Sequence, residues 1–253
     1  MKTKSSNDIE RDGLWWLCGD GPSLLIEKTE GVDHLIADFP YSPAVYKNSR
    51  RTPGVGTYKG GNSNDQAPRD LGHSPLTMEL IQRSCEAMAL RVQRWILIFS
   101  DLEGAHVWRE QLSYVGLTYI RTGIWHKNNA QPQITGDRPG QGCEAIVIAH
   151  GEATPLEWNG GGHDAFWECG VAPSHPDRHP VEKPLDLLRC LVEQFTKRGD
   201  LVADITAGRA TTGVACLAAG RKFFGVELDP VYHERGSRRL AQDVAREQFP
   251  LAL

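Results

Sequence analysis

The stretch between Asp200 and Pro230 constrains the fold more than any other part of this chain. From Leu201 it reads LVADITAGRATTGVACLAAGRKFFGVELDP: an apolar strand, a turn of small residues, an Ala- and Gly-rich helix, and a second strand ending on an acid. That order is a strand-helix-strand unit of an α/β sheet. Ala207 and Gly208 let the backbone turn sharply and approach a ligand, and a helix starting near Thr211 and Thr212 turns its free N–H groups toward the same place. Glu227 follows the turn at the spacing from which a carboxylate accepts hydrogen bonds from ribose hydroxyls. A glycine turn by itself fits any tight connection in a doubly wound sheet, and the turn together with Glu227 is the more specific signal. The loop lacks the lysine of a GxxxxGK[ST] phosphate loop, so a zwitterionic or nucleoside cofactor fits better than a triphosphate.

Further short apolar runs suit buried strands: Leu14 to Leu17, His34 to Ala37, Trp95 to Phe99 and Ala145 to Ala149. Pro184 to Phe195 carries apolar positions at helical spacing after a proline, and Gly220 stops the helix that begins near Thr211. The expected fold is a Rossmann-like, doubly wound, mostly parallel twisted sheet within a single domain over residues 1–253. Two irregular segments interrupt it: a Gly-, Pro- and Asn-rich loop over residues 47–75, and an excursion over 151–178 with Trp158, His163, Phe166 and Trp167. The second is a candidate for reading a target sequence, or a surface excursion whose tryptophans pack on the sheet.

With a net charge of -4, no global positive field points to nucleic acid, so any such contact is local. The six cysteines contain no CxxC pair and indicate neither a zinc site nor a disulfide framework; they read as reduced, mostly buried thiols. The polar start of the chain and the lack of a long apolar run predict no secretion signal and no membrane span, hence a cytoplasmic protein. Oligomeric state stays open between monomer and homodimer.

At the end of the second run, LIADFPYSP leads from a strand directly into Asp38, Phe39, Pro40 and Tyr41. A carboxylate, a constrained turn and an aromatic face at a strand's carboxyl end can converge on a flat substrate; a capping Asp and a turn Pro would look the same. Here the chain resembles the amino-group DNA methyltransferases in their permuted, beta-class order, whose catalytic motif is [Asp/Asn/Ser]-Pro-Pro-Tyr. The matching pieces follow that order: Cys18-Gly19-Asp20, then Asp38 to Tyr41, Trp125-His126-Lys127-Asn128 before the Ala145 strand, His179-Pro180-Val181-Glu182-Lys183-Pro184, and finally Asp204 to Asp229. The resemblance implies S-adenosylmethionine as cofactor and DNA as substrate. It places Asp204, Ala207, Gly208, Arg209, Thr211 and Thr212 around the cofactor, Glu227 and Asp229 at its ribose end, Asp20 near its adenine, and Lys183 and Pro184 near its methionine part.

The implied reaction is methylation of an exocyclic amine, adenine N6 in preference to cytosine N4. Asp38 and the Phe39 carbonyl would accept the amino hydrogens while Tyr41 stacks on a flipped base. Lys47, Arg50 and Arg51 either contact phosphate or belong to a solvated loop. Arg235, Arg238 and Arg239 read as a solvated helix face. Phe39 stands where the family has its first proline, and Arg209-Ala210 where it has a small residue and glycine, so a cofactor-binding, noncatalytic relative is the alternative. Every reading requires Asp38 and Gly208 to meet at one edge of the sheet.

Overall fold

The structure, a computed structural model, describes residues 8–11, 13–41, 76–130, 132, 139–171 and 182–248. The strands of these residues form one sheet: β1 (Ile9–Arg11), β2 (Leu14–Cys18), β3 (His34–Asp38), β4 (Trp95–Ser100), β5 (Thr118–His126), β6 (Cys143–His150), β7 (Phe166–Glu168), β8 (Leu201–Asp204) and β9 (Lys222–Glu227). Their order across the sheet is β1-β2-β9-β8-β3-β4-β6-β5-β7. The run from β2 to β4 is parallel, while β1 and β6 lie antiparallel to their neighbours. The helices are α1 (Gly21–Lys28), α2 (Met78–Arg91), α3 (Ala105–Tyr114), α4 (Leu185–Phe195), α5 (Thr211–Ala218) and α6 (Pro230–Gln248).

Strand residues alternate between two buried layers, as a sheet covered on both faces requires. Leu35, Ala37, Ile96 and Ile98 face a layer completed by Leu25 of α1, Met88 of α2 and Trp108 of α3. Ile36, Leu97, Phe99 and Val202 face the opposite layer, with Leu191 of α4, Val214 of α5 and Leu240 of α6. The sheet is therefore doubly wound. The chain leaves β8 through α5 toward β9 on one side and leaves β3 through α2 toward β4 on the other, so β8 and β3 flank a topological switch point. Ligands of open α/β sheets bind in the crevice outside strand carboxyl ends at such a point.

All six expected apolar runs lie in strands, and the expected helix at Pro184 is α4, with Pro184 as its N-cap. Helix α5 ends before Gly220, whose φ of 72° closes the turn. The buried-thiol expectation holds only for Cys85 and Cys216; the other four cysteines are half-buried. The loop at 47–75 and residues 172–178 lie outside the described residues.

Within 151–171 the two tryptophans are docked on the fold, as in the packing alternative for this segment. Trp158 packs edge-on against Phe195 at the far end of α4, and its neighbour Glu157 pairs with Arg94 just before β4. That is the rim opposite the strand carboxyl ends. Trp167 lies 4% exposed within β7, bonded through Nε1 to Gln194 at 2.8 Å. Exposed His163 stacks on it, with ring centroids 6.3 Å apart.

Phe39 also has a structural explanation. Its side chain is 2% exposed and meets the Trp108 ring at 4.7 Å, so it turns away from the crevice and fills the layer beneath α3. Phe39→Ala is expected to lower the unfolding free energy by about 3–5 kcal/mol in urea titration, the usual cost of emptying an aromatic core site. A loss below about 1 kcal/mol would show that this layer closes over the gap.

Candidate active site

Pairing of His34 with Val202 and Leu35 with Ala203 sets β3 beside β8 in parallel, so Asp38 emerges at the height of the turn after Asp204. The Asp38 N–H donates to Thr206 Oγ1 at 3.1 Å, tying the two strand ends together. A cavity of about 750 Å³ opens there, lined by Asp38 to Tyr41 on one side and Asp204 to Arg209 on the other. Asp20, Lys183, Thr211, Thr212, Glu227 and Asp229 also line it. The strand-edge meeting required by the sequence is therefore present.

The turn after β8 has the form of a cradle. Gly208 has a φ of 54°, and a Cβ added there would meet nothing within 4 Å. Ala210 is a non-glycine residue at φ 60°, ψ 36°, the left-handed conformation for which a glycine would be expected. Holding an alanine there costs about 1–2 kcal/mol. Helix α5 starts immediately afterwards with no side-chain cap, so its first N–H groups remain for a ligand. On the other side of the turn, a Cβ at Gly21 would sit 2.1 Å from the Ile205 carbonyl oxygen, so glycine lets α1 close down on the end of β8.

Each acidic strand end is held differently. Glu227 accepts the Gly208 N–H at 2.7 Å through Oε2 and the Asp229 N–H at 2.8 Å through Oε1. Burial raises its pKa against those bonds. Asp204, 3% exposed, accepts from the Thr206 N–H at 3.0 Å and the Thr212 hydroxyl at 2.6 Å. Burial, helped by the charges of Asp38 and Glu227, pushes it up to about 7. Asp20 caps α1 by accepting from Ser23 and pairs with Arg83; burial opposes ionisation, but these contacts hold its carboxyl below the usual range. Asp229 accepts the Val231 N–H at 2.7 Å and so begins α6.

Lys183 lines the cavity beside the Asp38 segment, its ammonium 2.7 Å from Asp38 Oδ2, 3.1 Å from the Tyr41 hydroxyl and 3.3 Å from Glu144 Oε2. Arg209 turns onto Glu182 at 3.3 Å, joined by Arg239 at 2.6 Å, and the Thr211 hydroxyl donates to the same carboxylate at 2.8 Å. Arg239 is thus part of the site's frame rather than of a solvated face, whereas Arg238 is exposed and pairs with Glu234. Pro184 supplies only the start of α4. Lys47, Arg50, Arg51 and His179 to Val181 lie outside the described residues.

Sequence reasoning missed Glu144. Because β6 runs antiparallel, its amino end reaches the same rim as the carboxyl ends of β3 and β4. There Glu144 receives the Tyr41 hydroxyl and pairs with Lys127 at 2.5 Å. A lone acid directly before the wholly apolar run from Ala145 was the available signal.

The raised pKa of Asp204 gives a signed pH dependence. The folded state favours its protonated form, so the stability linked to this proton is complete below about pH 4 and lost as pH rises through about 7. Asp204→Asn is accordingly expected to gain thermal stability relative to the parent as the buffer moves from about pH 4 to about pH 8. A difference that stays constant over that range would contradict the assignment.

Residues 150–238 match the profile of a protein family described as DNA methylase (N6_N4_Mtase). The DNA adenine methyltransferase YhdJ of Escherichia coli K12 is 44% identical over 69 residues, 27% of this chain and 23% of that protein. Type II methyltransferase M.Cfr9I of Citrobacter freundii is 31% identical over 134 residues, 48% of this chain and 44% of that protein. The chain thus matches less than half the length of either relative. In fold it is similar to M1.HpyAVI, solved as a complex with SAM, at TM-score 0.68 and 20% identity over 90% of this chain and 98% of that one. Over residues 150–238 the chain is thus similar to N6/N4 DNA methylases, and its doubly wound sheet, with the Asp38 and Gly208 segments at one rim, has the fold of the solved methyltransferase.

Proposed function

We propose that this chain transfers a methyl group from S-adenosylmethionine to the exocyclic amine of a flipped DNA base, N6 of adenine, with residues 1–253 acting as one unit. The observation that carries this reading is the single cavity shared by the Asp38 to Tyr41 segment and the Gly208 turn. Its residues suit the cofactor. Glu227 uses one lone pair on each oxygen for backbone N–H groups, and a carboxylate offers about four acceptor sites, so ribose hydroxyls have acceptors there. The uncapped first turn of α5 suits a carboxylate. Seven acidic residues line the cavity against Lys183 and Arg209, a field that favours a cationic sulfonium.

When bound, the sulfonium supplies an activated methyl group for direct displacement. An exocyclic amine is a weak nucleophile because its lone pair is delocalised into the ring, so the protein's task is orientation and polarisation. Asp38 accepts one amino hydrogen and the Phe39 carbonyl the other, drawing the nitrogen toward tetrahedral geometry. Tyr41 offers its face to the base, and Lys47, Arg50 and Arg51 contact phosphate to offset the few kcal/mol of flipping. Adenine is favoured because the motif begins with Asp. Cytosine N4 presents the same chemistry, and digestion of labelled product to nucleosides decides between them.

With radiolabelled cofactor and mixed-sequence duplex, Asp38→Ala is expected to lower transfer by about 100-fold or more with cofactor affinity nearly unchanged. Glu227→Ala is expected to weaken cofactor binding by roughly 10- to 100-fold in calorimetry. The opposite pattern would mean the two subsites are exchanged. Cofactor binding by the unmodified chain without transfer to any DNA would instead identify a noncatalytic relative.

A further inference from the structure

The Lys183 ammonium is enclosed at 6% side-chain exposure, and its three oxygen neighbours come from three separate places. They are Asp38 at the end of β3, Tyr41 three residues later, and Glu144 on β6, at 2.7, 3.1 and 3.3 Å. An ammonium has three N–H donors: two are hydrogen-bonded to Asp38 and Tyr41, and the Glu144 carboxylate stands within ion-pair distance as a third neighbour. The rings of Tyr41 and Phe99 lie 5.2 Å from the nitrogen and close off the remaining directions. Glu144 is itself held by Lys127 at 2.5 Å, so two lysines and two carboxylates balance in charge.

Resting on the function proposed above, we propose that Lys183 is a positioning residue of the transfer step. It holds Asp38 ionised and at a fixed height beside the target amine and orients Tyr41 through its hydroxyl, while Glu144 anchors the ammonium from the opposite strand. Without the cation, Asp38 would lose its 2.7 Å ionic partner at a rim it shares with Asp204 and Glu227, and its charged form would be less favoured. The amine would then lose an acceptor at moderate pH.

The test uses the full chain as the parent, Lys183→Arg, Lys183→Met and the double variant Lys183→Met/Glu144→Gln. Readouts are cofactor binding by calorimetry, single-turnover transfer between about pH 5 and pH 9, and thermal unfolding. Lys183→Met is expected to keep cofactor affinity within about threefold, to lose about 100-fold in transfer at neutral pH, and to need about one pH unit more for half-maximal rate. Lys183→Arg keeps the charge, so its pH profile should stay with the parent while its rate falls, because a planar fork does not reproduce three convergent donors.

The double variant removes one positive and one negative charge and so avoids leaving Glu144 unbalanced. It is expected to fold and to remain as slow as Lys183→Met. Transfer restored to within about threefold of the parent would show that Lys183 serves only to neutralise Glu144, and would overturn the proposal. A loss confined to cofactor affinity would overturn it as well. Should the Met variants not fold, a parental rate in Lys183→Arg is the overturning result. A parent that binds cofactor and transfers nothing sinks the functional reading, and this inference with it; an active parent alongside an active double variant sinks the inference alone.

Discussion

A parallel sheet that ends in acids must solve an electrostatic problem, and the architecture of this site is its solution. Neighbouring strands β9, β8 and β3 finish on Glu227, Asp204 and Asp38, and Asp20 follows β2 at the same rim. Removing one ionised carboxylate from water costs several kcal/mol unless it is compensated. Each of these groups has a different compensation. Backbone N–H groups of the turn serve Glu227, a lysine serves Asp38, a helix cap with Arg83 serves Asp20, and Asp204 keeps a proton through most of the acidic range. A cationic ligand in the crevice would relieve the remaining repulsion, which connects the energetics of the acidic rim to the kind of molecule it can hold.

Much of this was legible in the sequence, for reasons visible in particular residues. The apolar runs at Leu35, Ile96, Ala145 and Val202 were readable because strands covered on both faces carry continuous hydrophobicity. The turn at Gly208 was readable because left-handed backbone selects small residues. Pairing was less accessible. The contact between Lys183 and Asp38 spans 145 residues and depends on α4 starting beside the end of β3. Glu144 reaches the site only because β6 is antiparallel, a property with no local signature. Local periodicity places side chains on a face of their own element; it does not say which distant element they will meet.

The same distinction explains why the sequence leaves two readings open for Trp158 and places Arg239 on a solvated face. An exposed-looking tryptophan in a glycine-rich excursion suits base recognition as well as packing, and its edge-on contact with Phe195 required α4 to end at the opposite rim. Arg239 has the spacing of a solvated helix face, yet it is drawn to Glu182, whose carboxylate also holds Arg209 and Thr211. Helix α6 is thereby tied to the glycine turn through one carboxylate.

Departures from the family's usual residues can be understood by the same accounting. Phe39 replaces a proline whose rigid φ helps fix the following carbonyl, and its ring instead anchors that segment by burial against Trp108. Ala210 occupies a conformation that disfavours its side chain, but the backbone there is held from both sides: its N–H donates to the Ala207 carbonyl at 2.7 Å, and its carbonyl accepts the Val214 N–H at 3.0 Å. Arg209 brings a long cation to the cofactor turn, and the Glu182 cluster draws its guanidinium aside. Phe39 is thus held by packing, Ala210 by the hydrogen bonds of its own turn and Arg209 by an ion pair. The rim keeps its shape although the residues that enforce it differ, so these substitutions are compatible with a working site.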